Sequence, residues 1–220
     1  MDIFFPKLCI ACRQNKVGTN AICIECLAAL PHIDESLVPH PADQRLQHRF
    51  DYHKAFSLFY MNKDGKMHRI LHQIKYRYRK DAALEMGEIF AVCVSRYFEH
   101  RMDAVLAVPI HQKKQIRRGY NQSHILAQSV SDKLNIPFLK DALVKTMHTP
   151  SQTRKTRTER IQNIEGSIAL NEQPDLKDKK VLLIDDVLTT GSTLEVCGKV
   201  LLDIPGLELN IATLTLATDA

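Results

Sequence analysis

Apolar residues fall along the chain in two alternating rhythms. The runs Ala104–Val108 and Val181–Ile184 contain no polar residue, the mark of a strand covered on both faces of a parallel sheet. Ala55–Met61 reads as another strand, and Leu207–Leu216 as a closing one after the turn Pro205-Gly206. Between these runs the period becomes that of a helix. Met67, Ile70, Leu71, Ile74 and Tyr78 form one stripe, and Met86, Ile89, Phe90, Cys93 and Tyr97 a second. Leu126, Val130 and Leu134 form a third, and Leu194, Val196, Cys197, Val200 and Leu201 a fourth. Strands alternating with helices predict an α/β domain with a doubly wound, mainly parallel sheet. Such a sheet presents ligand sites at the carboxyl ends of its strands.

The run ending at Ile184 passes into Asp185-Asp186-Val187-Leu188-Thr189-Thr190-Gly191-Ser192-Thr193, two carboxylates followed by small hydroxylated residues and one glycine. Successive backbone N–H groups from Thr189 to Thr193 can close around a phosphate, helped by the positive end of the following helix. Gly191 supplies the positive φ or close approach that such a turn needs, and Ser192 or Thr193 is placed to cap the helix. Two adjacent acids here can accept hydrogen bonds from the vicinal hydroxyls of a ribose whose 5′-phosphate sits in the turn. A buried strand, a polar turn and a capped helix would account for the same residues. That reading leaves two unpartnered acids beside an anion cradle, which costs stability unless they are used. No Gly-Lys-Ser/Thr closes the turn and GxGxxG is absent, which sets aside Walker-type NTPases and dinucleotide-binding folds.

The run Ala104–Val108 ends at Pro109 and leads through Ile110-His111 into a basic stretch to Arg118. Gly119-Tyr120-Asn121-Gln122-Ser123 then turns the chain into the third helix. This β-loop-α unit places its loop at the same sheet edge, where Arg117 and Arg118 are candidates to hold a pyrophosphate. The stretch from Lys145 to Asn163 is polar and cationic with few apolar anchors, and reads as a mobile loop able to close over a charged ligand. Arg154, Lys155 and Arg160 within it are further candidates for pyrophosphate or DNA contact; a surface insertion is the alternative.

Cys9-x-x-Cys12 and Cys23-x-x-Cys26 are two ligand hooks joined by a short loop, the arrangement that tetrahedral thiolate coordination of Zn²⁺ requires. Four protein thiolates close such a site, so its role is structural; disulfides are the rival reading. The pattern predicts a small zinc-binding module over 1–32, a linker over 33–54 marked by Pro31, Pro39 and Pro41, and the α/β domain over 55–220. Cys93 and Cys197 read as core residues, and His68 with His72 as a surface pair lacking a third ligand. The net charge of +5 is modest, so its distribution matters more than its total. It concentrates in three clusters, Lys75 to Lys80, Lys113 to Arg118 and Arg154 to Arg160. The longest apolar stretch is far too short to span a bilayer and no secretory leader is evident, so the protein is expected in the cytoplasm.

The run from Val181 to Thr193 resembles the loop that binds phosphoribosyl pyrophosphate (PRPP) in type I phosphoribosyltransferases. In that family the two acids contact the ribose hydroxyls and the following loop wraps the 5′-phosphate, with Mg²⁺ accompanying the ligand. The resemblance assigns Asp185 and Asp186 to the hydroxyls and Thr189 to Thr193 to the phosphate. The four cysteines, Val108-Pro109-Ile110-His111, Arg118 to Ser123, Gln152, Arg160-x-x-Asn163 and this loop together resemble the ComF family of competence-associated proteins over nearly the full length. That resemblance implies a PRPP-binding domain acting in natural transformation, handling incoming single-stranded DNA with other DNA-import proteins. Tyr76, Tyr78 and Tyr120 interleave with basic residues, as stacking on splayed bases requires. The alternative is a Mg²⁺-dependent phosphoribosyltransferase of nucleotide salvage, which moves the phosphoribosyl group to a nitrogenous base and releases pyrophosphate. The chain shows no recognisable base-specificity segment after Leu214, and turnover is left open.

Overall fold

The computed structural model describes residues 8–14, 16, 18–98, 102–145, 168–171 and 175–218. In chain order its elements are α1 (Ile24–Ala28), α2 (Pro41–Leu46), β1 (Lys54–Met61), α3 (Lys66–Tyr76), α4 (Lys80–Tyr97), β2 (Ala104–Ala107), α5 (Gln112–Arg118) and α6 (Gln122–Leu134). A hairpin of β3 (Leu143–Lys145) and β4 (Ile168–Leu170) follows, then β5 (Lys180–Leu188), α7 (Ser192–Leu202) and β6 (Glu208–Ala217).

β1, β6, β5 and β2 lie in that order in one parallel sheet, with Leu106 opposite Leu183, and Ile184 opposite Ala212. The unbroken apolar runs are explained by what covers them. Leu182 and Ile184 point into the layer formed with α3, α4 and α6, while Val181 and Leu183 point into the layer formed with α2 and α7. All four are fully buried, each worth roughly 1.5–3 kcal/mol relative to exposure. The doubly wound α/β architecture expected from the alternating periods is the one observed.

Four local features differ from the expectation. β5 does not stop at Ile184. It stays paired with β6 through Leu188, so Asp185 and Asp186 are strand residues, Asp185 opposite Thr213. The basic stretch after β2 is a helix, α5, without a buried residue. Its ends define it: the His111 ring accepts a hydrogen bond from the Lys113 N–H, and Gly119 leaves the helix at φ +73°. Tyr78 does not extend the stripe of α3, which ends at Tyr76; it takes φ +54° and is exposed. The stretch 33–54, expected as a linker, carries α2, whose first residue is Pro41. Proline starts a helix here because its ring presets φ and no N–H is required at that position.

The amino-terminal segment is not held apart from the sheet. Ile10, Ile22, Cys26 and Leu30 share one core with α3, α4 and α6. From α4, Glu85 Oε2 accepts hydrogen bonds from the N–H groups of Ala21 (2.7 Å) and Ile22 (3.4 Å). Pro31 to Ile33 then runs along the open edge of β1, where the Tyr60 N–H donates to Pro31 O and the Ile33 N–H to Leu58 O. That coverage removes a bare sheet edge. The stretch from Lys145 to Asn163, expected as a mobile loop, lies outside the described residues apart from Lys145 itself.

Candidate ligand cleft and four-sulfur cluster

The carboxyl ends of β5 and β2 border a cleft of about 300 Å³ whose wall includes Lys75, His111, Lys114, Arg118, Asp185 and Asp186. α6 begins beside it because Asn121 performs two tasks. Its side chain accepts from the Ser123 N–H, capping the helix, and donates to Val108 O, tying that cap to the end of β2. The cap presents Ser123, whose hydroxyl donates to Asp185 Oδ1 at 2.8 Å, and the Asp186 N–H donates to the same oxygen at 2.8 Å. Burial, then the neighbouring Asp186 charge, push the Asp185 carboxyl up to about 7 against those donors and the Lys75 charge. Asp186 is paired instead, its Oδ2 lying 2.8 Å from Lys75 Nζ.

The loop 189–193 joins this pair to α7. Gly191 adopts φ +84°, and a Cβ there would lie 2.7 Å from Leu46 Cδ2 of α2. Both constraints call for glycine. Gly191 itself occupies the cap position of α7, with no side-chain cap, so Ser192 and Thr193 start the helix rather than cap it. Thr190 and Ser192 share a hydroxyl hydrogen bond at 3.0 Å. From behind, the Arg45 guanidinium donates to Thr189 O at 2.7 Å and to Ala217 O at 3.0 Å. Arg49 pairs with Glu195 of α7 at 3.3 Å. Thr189 and Thr190 are exposed, and Thr189 lines the cleft together with Thr193 at the amino end of α7. Val187 and Thr193 line the cleft, whereas Leu188 is fully buried against the α7 layer and serves the fold.

The candidate arginines separate. Arg118 lines the cleft, donates to Gln122 Oε1 at 3.0 Å and sits over the Tyr76 ring at 5.2 Å. Arg117 is exposed, over the same ring at 5.5 Å, and does not line the cleft. Arg154, Lys155 and Arg160 lie outside the described residues. The three tyrosines staple α3 to the α5 region rather than forming an open stacking row. Tyr78 donates to Arg117 O at 2.6 Å, Tyr120 donates to Ile74 O at 2.7 Å, and Tyr76 packs between the arginines and His72.

Two residues of the site escaped the sequence reading. Arg45 stands 144 positions before Thr189, in a stretch that reads as a linker, and no local pattern marks it. Lys75 reads as one cation of a cluster; the end of α3 at Tyr76 is what turns it inward while Arg77 and Tyr78 turn out.

At the amino end, the sulfurs of Cys9, Cys12, Cys23 and Cys26 all lie within 4.8 Å of one another, and those of Cys12 and Cys23 are 3.9 Å apart. Four thiolates at about 2.3 Å around one metal ion place neighbouring sulfurs about 3.8 Å apart, so the cluster suits a tetrahedral ion. No disulfide joins them. The Cys23 N–H donates to Cys9 Sγ at 3.3 Å. Burial raises the Cys9 thiol, but backbone N–H donors led by Cys23 outweigh it and bring it down to about 6, whereas burial raises the Cys23 and Cys26 thiols, so without a cation the thiolate is favoured at Cys9 but not at Cys23 or Cys26. Among the described residues no helix is long and apolar enough to cross a membrane.

Residues 121–219 match the phosphoribosyl transferase domain family, a span running from the cap of α6 through β5, the glycine loop and β6. Competence protein F of Haemophilus influenzae is 39% identical over 103 residues, covering 45% of this chain and 44% of that protein. DNA utilization protein YhgH of Escherichia coli O157:H7 is 27% identical over 221 aligned positions, covering 90% of this chain and 91% of that protein. Competence protein ComFC of Bacillus subtilis is 24% identical over 144 residues, 64% of this chain and 56% of that protein. The match thus spans less than half of the Haemophilus protein and about nine-tenths of the Escherichia protein. The parallel sheet, with an acid pair and glycine loop at one strand end, defines a protein of the type I phosphoribosyltransferase fold. Within that class the chain is similar to the competence protein F, ComFC and DNA utilization proteins, and it carries an amino-terminal four-cysteine cluster.

Proposed function

We propose that the cleft binds PRPP or a closely related phosphoribosyl ligand. The observation that carries this reading is the juxtaposition of the acid pair of β5 with the loop 189–193 on one side and the cations Lys114 and Arg118 on the other. The loop offers N–H donors and the amino end of α7 to a 5′-phosphate. Asp185 and Asp186 accept from the ribose hydroxyls, and Arg118 with Lys114 faces the pyrophosphate. A Mg²⁺ ion accompanying the diphosphate would supply charge neutralisation there. The chemistry open to such a complex is displacement of pyrophosphate from C1 of the ribose by a nitrogen nucleophile. It draws on positioning and electrostatics, which this chain provides, more than on a strong base. Following pyrophosphate release with a panel of nucleobases separates turnover from retention of the ligand.

The four sulfurs would hold a structural Zn²⁺ closed to substrate, and the segment that carries them docks on α4 through Glu85. The names of the relatives, competence protein and DNA utilization protein, support a role in competence and the use of DNA; we place that role in the cytoplasm, together with other DNA-import proteins. The exposed Arg117 and Lys113, on α5 but outside the cleft, are candidates to meet a single-stranded DNA backbone.

Calorimetry of the zinc-loaded protein with Mg·PRPP tests the ligand assignment. Asp185→Asn with Asp186→Asn is expected to abolish the binding seen with the wild type. Unchanged binding by the double variant would remove the ribose from this site.

A further inference from the structure

α3 leaves the carboxyl end of β1, yet Lys75 in its last turn meets Asp186 on β5, two strands away. A helix of this length covers about 16 Å, more than the roughly 10 Å between strands two apart. α3 therefore crosses over the carboxyl edge of the sheet and lowers one cation into the cleft. Lys75 and Asp186 are only 18% and 12% exposed, and Asp186 is the one carboxylate paired with Lys75 among the described residues. The end of α3 is also fixed: Tyr120 holds Ile74 O, and Tyr76 lies under Arg118, so Lys75 and Arg118 are presented by one stapled unit.

We propose that Lys75 is a ligand-binding residue of the cleft, paired with Asp186 while the cleft is empty and transferred to the diphosphate when a sugar diol takes that carboxylate. The inference rests on the phosphoribosyl reading of the site. A buried charge left without a partner is costly, and a bare Asp186 beside Asp185 would face repulsion as well. Pairing with Lys75 stabilises the empty site. A ligand that carries both hydroxyl donors and anionic oxygens gives each member of the pair a new partner, so the exchange strands neither charge. A ligand with the diol but no diphosphate supplies only half of it. The groups that face the pair are Ser123 of α6, Lys114 and Arg118 of α5, His111 before it, Asp185 of β5 and Lys145 of β3. Their cations accumulate on the side where a diphosphate would lie, and Lys75 adds to that side.

The test compares Mg·PRPP with ribose 5-phosphate, by calorimetry, on the wild type and on Lys75→Gln, which keeps a donor for Asp186 but no charge. Lys75→Gln is expected to weaken PRPP by about ten- to a hundredfold while ribose 5-phosphate changes less than about threefold. Lys75→Arg is expected to retain most of the PRPP affinity, and it serves if the glutamine variant melts early. An equal loss for both ligands would overturn the transfer and leave Lys75 as a support for Asp186, and unchanged PRPP affinity would overturn it outright. A wild type that binds neither ligand overturns the phosphoribosyl reading itself, and the inference with it.

Discussion

The two loops that border the cleft are built in opposite ways. The loop after β5 is braced from behind by residues distant in sequence. Arg45 bridges Thr189 O and Ala217 O, Leu46 closes on Gly191, and Arg49 pairs with Glu195. The loop after β2 is a short helix with no buried residue, held by its own caps and by tyrosines at and just beyond the end of α3. A phosphate cradle made of backbone N–H groups works only if the backbone cannot relax, so it is framed by long-range contacts. Cations that meet a diphosphate carry their own reach in long side chains, so their backbone tolerates a lighter hold.

Breaking the braced loop is expected to have the largest effect. Gly191→Val places a branched side chain at φ +84° and drives its Cβ into Leu46. The positive φ alone costs roughly 1–3 kcal/mol, and the displaced Leu46 adds to it. Thermal unfolding should move down by several degrees and Mg·PRPP binding should vanish; a variant that binds normally would show that the cradle is softer than its framing. Arg45→Met comes next. It removes two hydrogen bonds from a charged donor, each worth about 1.5–3 kcal/mol at most, while leaving the cleft wall untouched. PRPP affinity is expected to fall about tenfold, with ribose 5-phosphate falling alongside it because both share the 5′-phosphate. A loss confined to PRPP would place the effect of Arg45 on the wrong loop.

Much of this division can be traced to what a local reading of sequence can carry. The unbroken run Val181–Ile184 and the acid pair with its glycine are contiguous, so strand, turn and helix can be read together. The braces are not contiguous. Arg45 finds Thr189 only after β1, β6 and β5 have paired, and Pro41, which reads as punctuation, starts the helix that carries it. α5 lacks an apolar stripe and is set by His111 and Gly119 at its ends, signals that periodicity ignores. β3 and β4 are three residues each, too short for alternation to stand out. Tyr78 fits the helical spacing of α3 but lies beyond its end with a left-handed φ, its hydroxyl donating to Arg117 O.

Acidity sharpens the comparison in a third way, because Asp185 sits where the two loops meet. Its carboxyl is raised to about 7 by burial and by Asp186, above the ordinary value of 3.8. The folded protein therefore holds this proton more tightly than the unfolded chain. The associated stability is fully present below about pH 4 and is lost as pH rises through about 7. Ligand binding runs the other way, since only the ionised carboxylate accepts two hydroxyl donors. Thermal midpoints of the wild type should thus decline from pH 5 to 8 more steeply than those of Asp185→Asn, while wild-type PRPP affinity climbs over the same interval. Parallel slopes for the two proteins would mean that Asp185 is already ionised in the empty cleft.

The smallest effect is expected on the lightly held side. Tyr78→Phe deletes one exposed hydrogen bond, the 2.6 Å contact from its hydroxyl to Arg117 O, and keeps the ring that packs against Gly119. A neutral exposed hydrogen bond contributes about 0.5–1.5 kcal/mol, at the low end when water can replace it. Stability should therefore change by less than about 1 kcal/mol. PRPP affinity should stay within about twofold, because Arg118 keeps its own contacts to Gln122 and Tyr76. Arg117 gains freedom outside the cleft, so hydrogen exchange at Ile116 to Gly119 should quicken while exchange at Thr189 to Thr193 does not. A tenfold loss of PRPP affinity in Tyr78→Phe would contradict the division between the loops. It would show that the α5 side needs a backbone as firmly placed as the phosphate cradle opposite.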